Sequence, residues 1–266
     1  MEERGAEYVQ SLARGLSVIR AFGAERPSLT LSDVARSTGL TRAAARRFLL
    51  TLVELGYVRT DGRLFSLAPR ILELGYAYLS GMSLPEVAQP HLERLVAEVH
   101  ESASVAVLDE EDVVYVARVA TSRIMRVTIN IGTRFPAHPT SMGRVLLAWL
   151  PSLDGYFDQV ELRRHTSRTI TSPSSLRAEL DRVRVQGWAM VDQELEEGLR
   201  SIAAPIRDGS GQVVAAINVS THASRTTVEA ARRDLLPSLL ATAARIEADL
   251  QASGTQVPPY RRLEPS

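Results

Sequence analysis

The stretch TRAAARRFLLTL, residues 41–52, carries Arg42, Arg46 and Arg47 within six positions, with no acid before Glu54. Clustered guanidinium groups bind oxyanions, phosphate or carboxylate, through charge-assisted and often bidentate hydrogen bonds. A second set with that capacity lies in RIMRVTINIGTR, where Arg126, Thr128 and Asn130 alternate with apolar residues and Arg134 follows. A third candidate is the acid cluster Asp192, Glu194, Glu196 and Glu197. It could serve acid–base or metal chemistry. The five histidines, at positions 91, 100, 138, 165 and 222, lack metal-ligand spacing, and no nucleophile–base motif accompanies the acids. The expected role of the acids is therefore a structural or solvated loop, and that of His138 a local hydrogen bond.

Composition narrows the chemistry further. The 266 residues contain no cysteine, and all 31 basic side chains are arginine. Disulfides, thiolate catalysis, cysteine-based zinc sites, lysine Schiff bases and the P-loop lysine are excluded. The sequence suggests no cofactor and no metal. No apolar run approaches the roughly 20 residues of a membrane span, and the acidic, polar N-terminus does not read as a signal peptide. The expectation is a cytoplasmic protein with no membrane partner. Net charge is zero overall, yet seven arginines face two acids between Arg36 and Arg70. Such local excess points to a phosphate partner.

The elements around the first arginine cluster give it a geometry. LARGLSVIRAF predicts an amphipathic helix burying Leu12, Leu16, Ile19 and Phe22. Thr30 caps a second helix, with Asp33 in its first turn and Leu31, Val34 and Ala35 inward; Gly39 makes the turn and Leu40 packs beneath it. Thr41 caps a third helix. At about 100° per residue, Ala45, Phe48, Leu49, Leu52 and Leu55 share its buried side. Ala43, Arg46 and Arg47 share the other, with Thr41 and Arg42 leading. Small alanines keep that surface slim enough for a major groove, where Arg reads guanine edges or phosphates. GYVRTDGRLFSLAP then reads as a hairpin turning at Asp61-Gly62, flanked by Arg59 and Arg63. Three helices and a basic hairpin describe a winged helix-turn-helix for double-stranded DNA.

The rest of the chain alternates strands and helices. Ile71, Leu72, Leu74 and Tyr78 suggest a linker helix ending near Gly81, and Ser83 a cap for the next helix. SASVAVLDEEDVVYVARV predicts strand, turn, strand, and RIMRVTINIG a third strand with Met125, Val127, Ile129 and Ile131 on its apolar face. TSMGRVLLAWL is helical, capped by Thr140 or Ser141. A helix stopped by Gly187 follows, then three strands, the last two joined at Gly209-Ser210-Gly211, and a closing helix disturbed at Pro237. The fold class is α+β with a mostly antiparallel sheet. The expected domains are 1–68 for DNA binding, 69–83 as a dimerising linker, 84–252 for effector binding, and a polar tail over 253–266. Arg126, Thr128, Asn130, Arg134, the helix start at Ser141 and Ser201 could converge on a small carboxylate. The alternatives are a small-acid enzyme with a DNA-binding appendage, which lacks a catalytic constellation, and a constitutive DNA binder, which would not need the second domain.

FPAHPTSMGRVLLA followed by VDQELEEGLRSIAAPIRDGSGQVVAAINVS resembles the effector domain of IclR-family transcriptional regulators. VQSLARGLSVIRAF and the helix-turn-helix fit the same family. SRIMRVTINIGTRFPAHPTSMGRVLLA further resembles its PcaR/PcaU/PobR branch, which governs protocatechuate and 4-hydroxybenzoate breakdown through β-ketoadipate. The resemblance implies a winged helix, a dimerising linker, a GAF-like effector domain, and homodimers or homotetramers on near-palindromic operators. It implies that Arg47 is the recognition-helix arginine and that Ser141, Met142, Val191, Asp192 and Ser201 lie at or beside effector-contacting positions.

Overall fold

Thr30 fixes where the helix-turn-helix begins. Its hydroxyl accepts the Asp33 N–H at 3.2 Å, while the Asp33 carboxylate accepts the Thr30 N–H at 3.1 Å, a reciprocal capping box. The computed structural model describes residues 8–23, 26–74, 83–121 and 129–252. It divides into two units, Met1–Gly81 and Met82–Ser266.

In the first unit α1 spans Gln10–Arg20, α2 Leu31–Thr38 and α3 Arg42–Glu54. Gly39 ends α2 in the left-handed region at φ 67°, where a Cβ is disfavoured, and Thr41 caps α3 by accepting the Ala44 N–H at 3.2 Å. The core joins Val18, Phe22, Val34, Ala45, Leu49 and Leu52 to Val58 and Phe65. Two assignments of the buried face change. Leu12 and Leu16 are 63% and 49% exposed, because α1 turns Gly15, against the Phe48 ring, and Val18 to the core and leaves the Leu12–Leu16 side uncovered among the described residues. Leu55 closes α3 as its exposed C-cap. The wing is a three-stranded sheet of β1 Ser28–Thr30, β2 Val58–Thr60 and β3 Leu64–Leu67, in the order β1-β3-β2. The sequence reading lacked β1. The hairpin loop is three residues long, because the Asp61 carboxylate accepts the Arg63 and Leu64 N–H groups at 2.9 and 2.8 Å and Gly62 takes φ 95°. A 3₁₀ turn, Pro69–Ile71, follows. The predicted linker helix from Gly75 onward lies outside the described residues.

The second unit is a six-stranded antiparallel sheet with helices on both faces. Its strands are β4 Ser102–Asp109, β5 Asp112–Val119, β6 Arg134–Pro136, β7 Ala189–Asp192, β8 Leu199–Arg207 and β9 Val213–His222, ordered β6-β5-β4-β9-β8-β7. Alternation sorts the side chains between faces. Ile202, Ala204, Ile217 and Val219 pack under α4, Ser83–Val99, and α9, Leu236–Ala252. Ala203 and Ala216 pack under α5, Ser141–Ala148, and α7, Pro173–Gln186; the short α6, Asp154–Gln159, joins this side. Thr140 caps α5 by accepting the Gly143 N–H at 3.1 Å. Gly143 cannot be larger: a Cβ there would lie 2.0 Å from the Ala137 carbonyl oxygen. The closing helix is interrupted one turn before Pro237: α8, Val228–Ala230, passes through a π-helical turn, Ala231–Leu235, into α9.

The predicted third strand is not a regular strand where it is described. Residues 122–128, which include Arg126 and Thr128, lie outside the described residues. Asn130–Thr133 form a turn that pairs with Tyr115 through Gly132 N–H to Tyr115 O at 2.8 Å. Arg134–Pro136 supply β6 instead. Among the described residues no helix is long and apolar enough to cross a membrane, and no group of three or more His, Cys, Asp or Glu could hold a metal ion.

Candidate functional site

In the N-terminal unit, Thr41, Arg42, Ala43, Arg46 and Arg47 form the exposed leading half of α3. The opposite face, Ala45, Leu49 and Leu52, is buried. No ion pair engages Arg42, Arg46 or Arg47 among the described residues, so their charge faces solvent. Arg59 and Arg63 stand on the exposed wing; Arg59 Nε donates to Ser66 Oγ at 3.0 Å, which orients it across the sheet. The arrangement presents exposed cations on a helix start and a hairpin, the two parts with which winged helices grip a duplex.

The C-terminal unit holds a cavity of about 300 Å³ between the sheet and the start of α5, within the size of small-molecule pockets. Ser141, Met142, Val191 and Ser201, all expected in the effector site, line it. Ser141 Oγ and Ser201 Oγ are 2.7 Å apart and buried. The Thr140 hydroxyl and carbonyl take the N–H groups of Gly143 and Arg144. The N–H groups of Ser141 and Met142 begin the helix ahead of its intrahelical bonds and suit an anion. Two neighbours extend the polar end: Asn218 and Ser220, with Asn218 Nδ2 donating to Ser220 Oγ at 3.1 Å. The other walls are mostly apolar, with His165 and Glu196 among them. Tyr115 and Phe135 meet edge to face, centroids 5.8 Å apart at 77°, and burial pushes the Tyr115 hydroxyl up to about 12.

Three expected effector residues stand elsewhere. Arg134 lies on the edge strand β6 and pairs with Asp109 and Asp112, the residues flanking the β4–β5 turn. Asp192 is occupied by Arg200, at 2.6 Å, and by Arg168. Asn130 is exposed in its turn, its N–H held by Thr133 Oγ1 at 2.9 Å, and its neighbour Ile129 reaches the cavity instead. The acid cluster is structural in its buried member. Glu194 pairs with the fully buried Arg144 of α5 and accepts the Ile170 N–H at 3.1 Å. Arg144 also donates to the His138 carbonyl at 3.1 Å. This network ties α5 to the loop whose Leu195 and Glu196 line the cavity. His138 makes its local bond, Nε2 to the Arg163 carbonyl at 3.1 Å, and burial lowers its pKa to about 4.

Sequence reasoning missed Tyr115, Phe135, His165, Asn218 and Ser220 as lining residues. Asn218 and Ser220 carried a signal: they interrupt the apolar run VVAAINVS at alternate positions, on the face that also bears Ala216.

Residues 11–62 match the IclR helix-turn-helix domain, and residues 76–248 match the domain described as bacterial transcriptional regulator IclR C-terminal. The chain is 50% identical over 238 residues to the Pca regulon regulatory protein of Pseudomonas putida, covering 88% of this chain and 82% of that one. It is 38% identical over 249 residues to the p-hydroxybenzoate hydroxylase transcriptional activator of Acinetobacter baylyi, covering 91% and 92%. The crystal structure of an IclR homologue complexed with 4-hydroxybenzoate, from Microbacterium hydrocarbonoxydans, superposes with a TM-score of 0.82 at 29% identity, over 91% of this chain and 100% of that one. With both domains matched in order and relatives aligned over most of its length, this chain belongs to the IclR family of helix-turn-helix transcriptional regulators, in the branch of the Pca and Pob regulators.

Proposed function

We infer that this regulator senses a small carboxylate of aromatic-acid catabolism, of the 4-hydroxybenzoate, protocatechuate or β-ketoadipate class, in the cavity beneath α5, and that the bound acid changes its grip on operator DNA. The carrying observation is the cavity's chemistry. Its polar end joins the start of α5 to the hydroxyls of Ser141, Ser201 and Ser220, and its other walls are mostly aromatic and aliphatic, with His165 and Glu196 among them. A helix start with desolvated N–H donors stabilises a carboxylate, and the apolar walls take the ring or chain. The relatives named for the Pca regulon and for p-hydroxybenzoate hydroxylase, and the neighbour complexed with 4-hydroxybenzoate, support that ligand class.

On DNA, the leading half of α3 enters the major groove through Thr41, Arg42, Ala43, Arg46 and Arg47, and Arg59 and Arg63 contact the flanking backbone. Two copies pair through the segment 69–83 to read a near-palindromic site. The chain acts as a sensor rather than an enzyme: Asp192 and Glu194, its best acid–base candidates, are bound by arginines. The test is fluorescence anisotropy of the chain on the DNA that adjoins its own gene, with each of the three acids added. A shift in operator affinity or in stoichiometry with at least one acid is expected. Binding that ignores all three would overturn the effector reading.

A further inference from the structure

Arg118 has no acid. It is a half-buried residue of β5, and its one hydrogen bond among the described residues is from Nη1 to Ser104 Oγ at 3.4 Å, long and weak. No described carboxylate pairs with it, and residues 120–131, which continue the chain beyond β5, contain no Asp or Glu. Burial pulls its guanidinium down from its ordinary pKa, and the only group acting in the other direction is Tyr115. A desolvated cation without an anion is costly, and other buried or part-buried arginines here, Arg144 and Arg200, are paired.

The register places this cation on the cavity side of the sheet. Arg118 pairs with Ser104, Ser104 with Asn218, and Asn218 with Ala203. Directly opposed residues of antiparallel strands share a face, and Asn218 lines the cavity. Arg118 leans from β5 over Ser104 on β4, one strand from Asn218 on β9. Ser201, which meets the start of α5, lies on β8. At about 4.8 Å per strand, β5 and β8 are roughly 14 Å apart. Ser201 sits one row over, opposite Ser220, so the start of α5 and Arg118 stand at far ends of two adjacent rows on one face; Asn218 and Ser220 line the cavity between them, and Arg118 lies beyond its lining residues.

Resting on the effector reading above, we propose that Arg118 is a specificity-determining residue that binds a second oxygen-bearing group of the effector, an anionic one by preference, while the start of α5 binds the first carboxylate. The cavity then selects two-ended acids over one-ended acids of the same skeleton. Ser104 and Asn218 orient the guanidinium and the bound oxygen.

Calorimetry on the full chain tests this with two matched pairs, adipate against hexanoate and 4-hydroxybenzoate against benzoate. Wild type is expected to prefer the two-ended member of at least one pair by tenfold or more. Arg118→Gln should erase that preference while leaving the one-ended member within about twofold, and Arg118→Lys should restore part of it. A preference that survives Arg118→Gln, an equal loss for both members, or no preference in wild type would overturn the proposal while leaving the carboxylate reading in place. Wild type that binds none of the four compounds would overturn both.

Discussion

Ser141 at the start of α5 and Ser201 on β8 hold their hydroxyl oxygens 2.7 Å apart inside the cavity, sixty residues apart in the chain. The contact joins the helix whose N–H groups suit an anion to the strand beneath it. Ser201→Ala removes one hydroxyl and leaves Ser141 free to rotate. Binding of the effector acid should weaken by roughly five- to tenfold, the worth of one neutral hydrogen bond of about 1 kcal/mol. Calorimetry on the folded variant checks it; unchanged affinity would place the carboxylate away from this pair.

Arg47→Ala should weaken operator binding. If Arg47 touches only phosphate, the loss is uniform across DNA sequences and the slope of log affinity against log salt falls by about one. If it reads a base, the loss concentrates on one operator position. Titrations at several salt concentrations separate the two, and unchanged binding by a folded variant would remove this helix from the groove.

Arg144→Met should destabilise the C-terminal unit, because it strands Glu194 as a buried, unpaired carboxylate, at a cost of about 3–5 kcal/mol. Adding Glu194→Gln to that variant should recover part of the loss. Urea denaturation of both variants is the measurement. A double variant less stable than Arg144→Met alone would contradict the pairing.

His138 is buried and neutral, with its pKa depressed to about 4 from an unfolded value of 6.5. The unfolded chain therefore binds a proton at higher pH than the folded one. The stability tied to this neutrality is fully present above pH 6.5 and is lost as pH falls from there towards 4. Stability measured across that window should decline less steeply for His138→Gln. Parallel curves would contradict it.

Much of the N-terminal unit was legible because its determinants are local. Thr30 with Asp33, Gly39 and Thr41 each act within four residues, and all three ends fall where those residue types put them. Leu12 and Leu16 were misassigned because periodicity reports an apolar stripe but not how far a neighbouring helix covers it. The cavity was half legible. Ser141 announced a helix start and Ser201 was expected beside it, but Tyr115 and Asn218 join them only through the strand order β5-β4-β9-β8, in which β4 pairs with a strand more than a hundred residues later. Arg134 looked available because its partners, Asp109 and Asp112, precede it by more than twenty residues and face it only once β6 pairs with β5.

The proposed effector site reads negative charge. The most direct measurement is titration calorimetry of the full chain with 4-hydroxybenzoate, protocatechuate and β-ketoadipate, each beside its neutral amide. One charge-assisted bond left unmade costs about 1.5–3 kcal/mol, or roughly ten- to a hundredfold in affinity. At least one acid should bind, and its amide should bind weaker by that factor. Equal affinity for acid and amide, or no binding of any of the three acids, would contradict it.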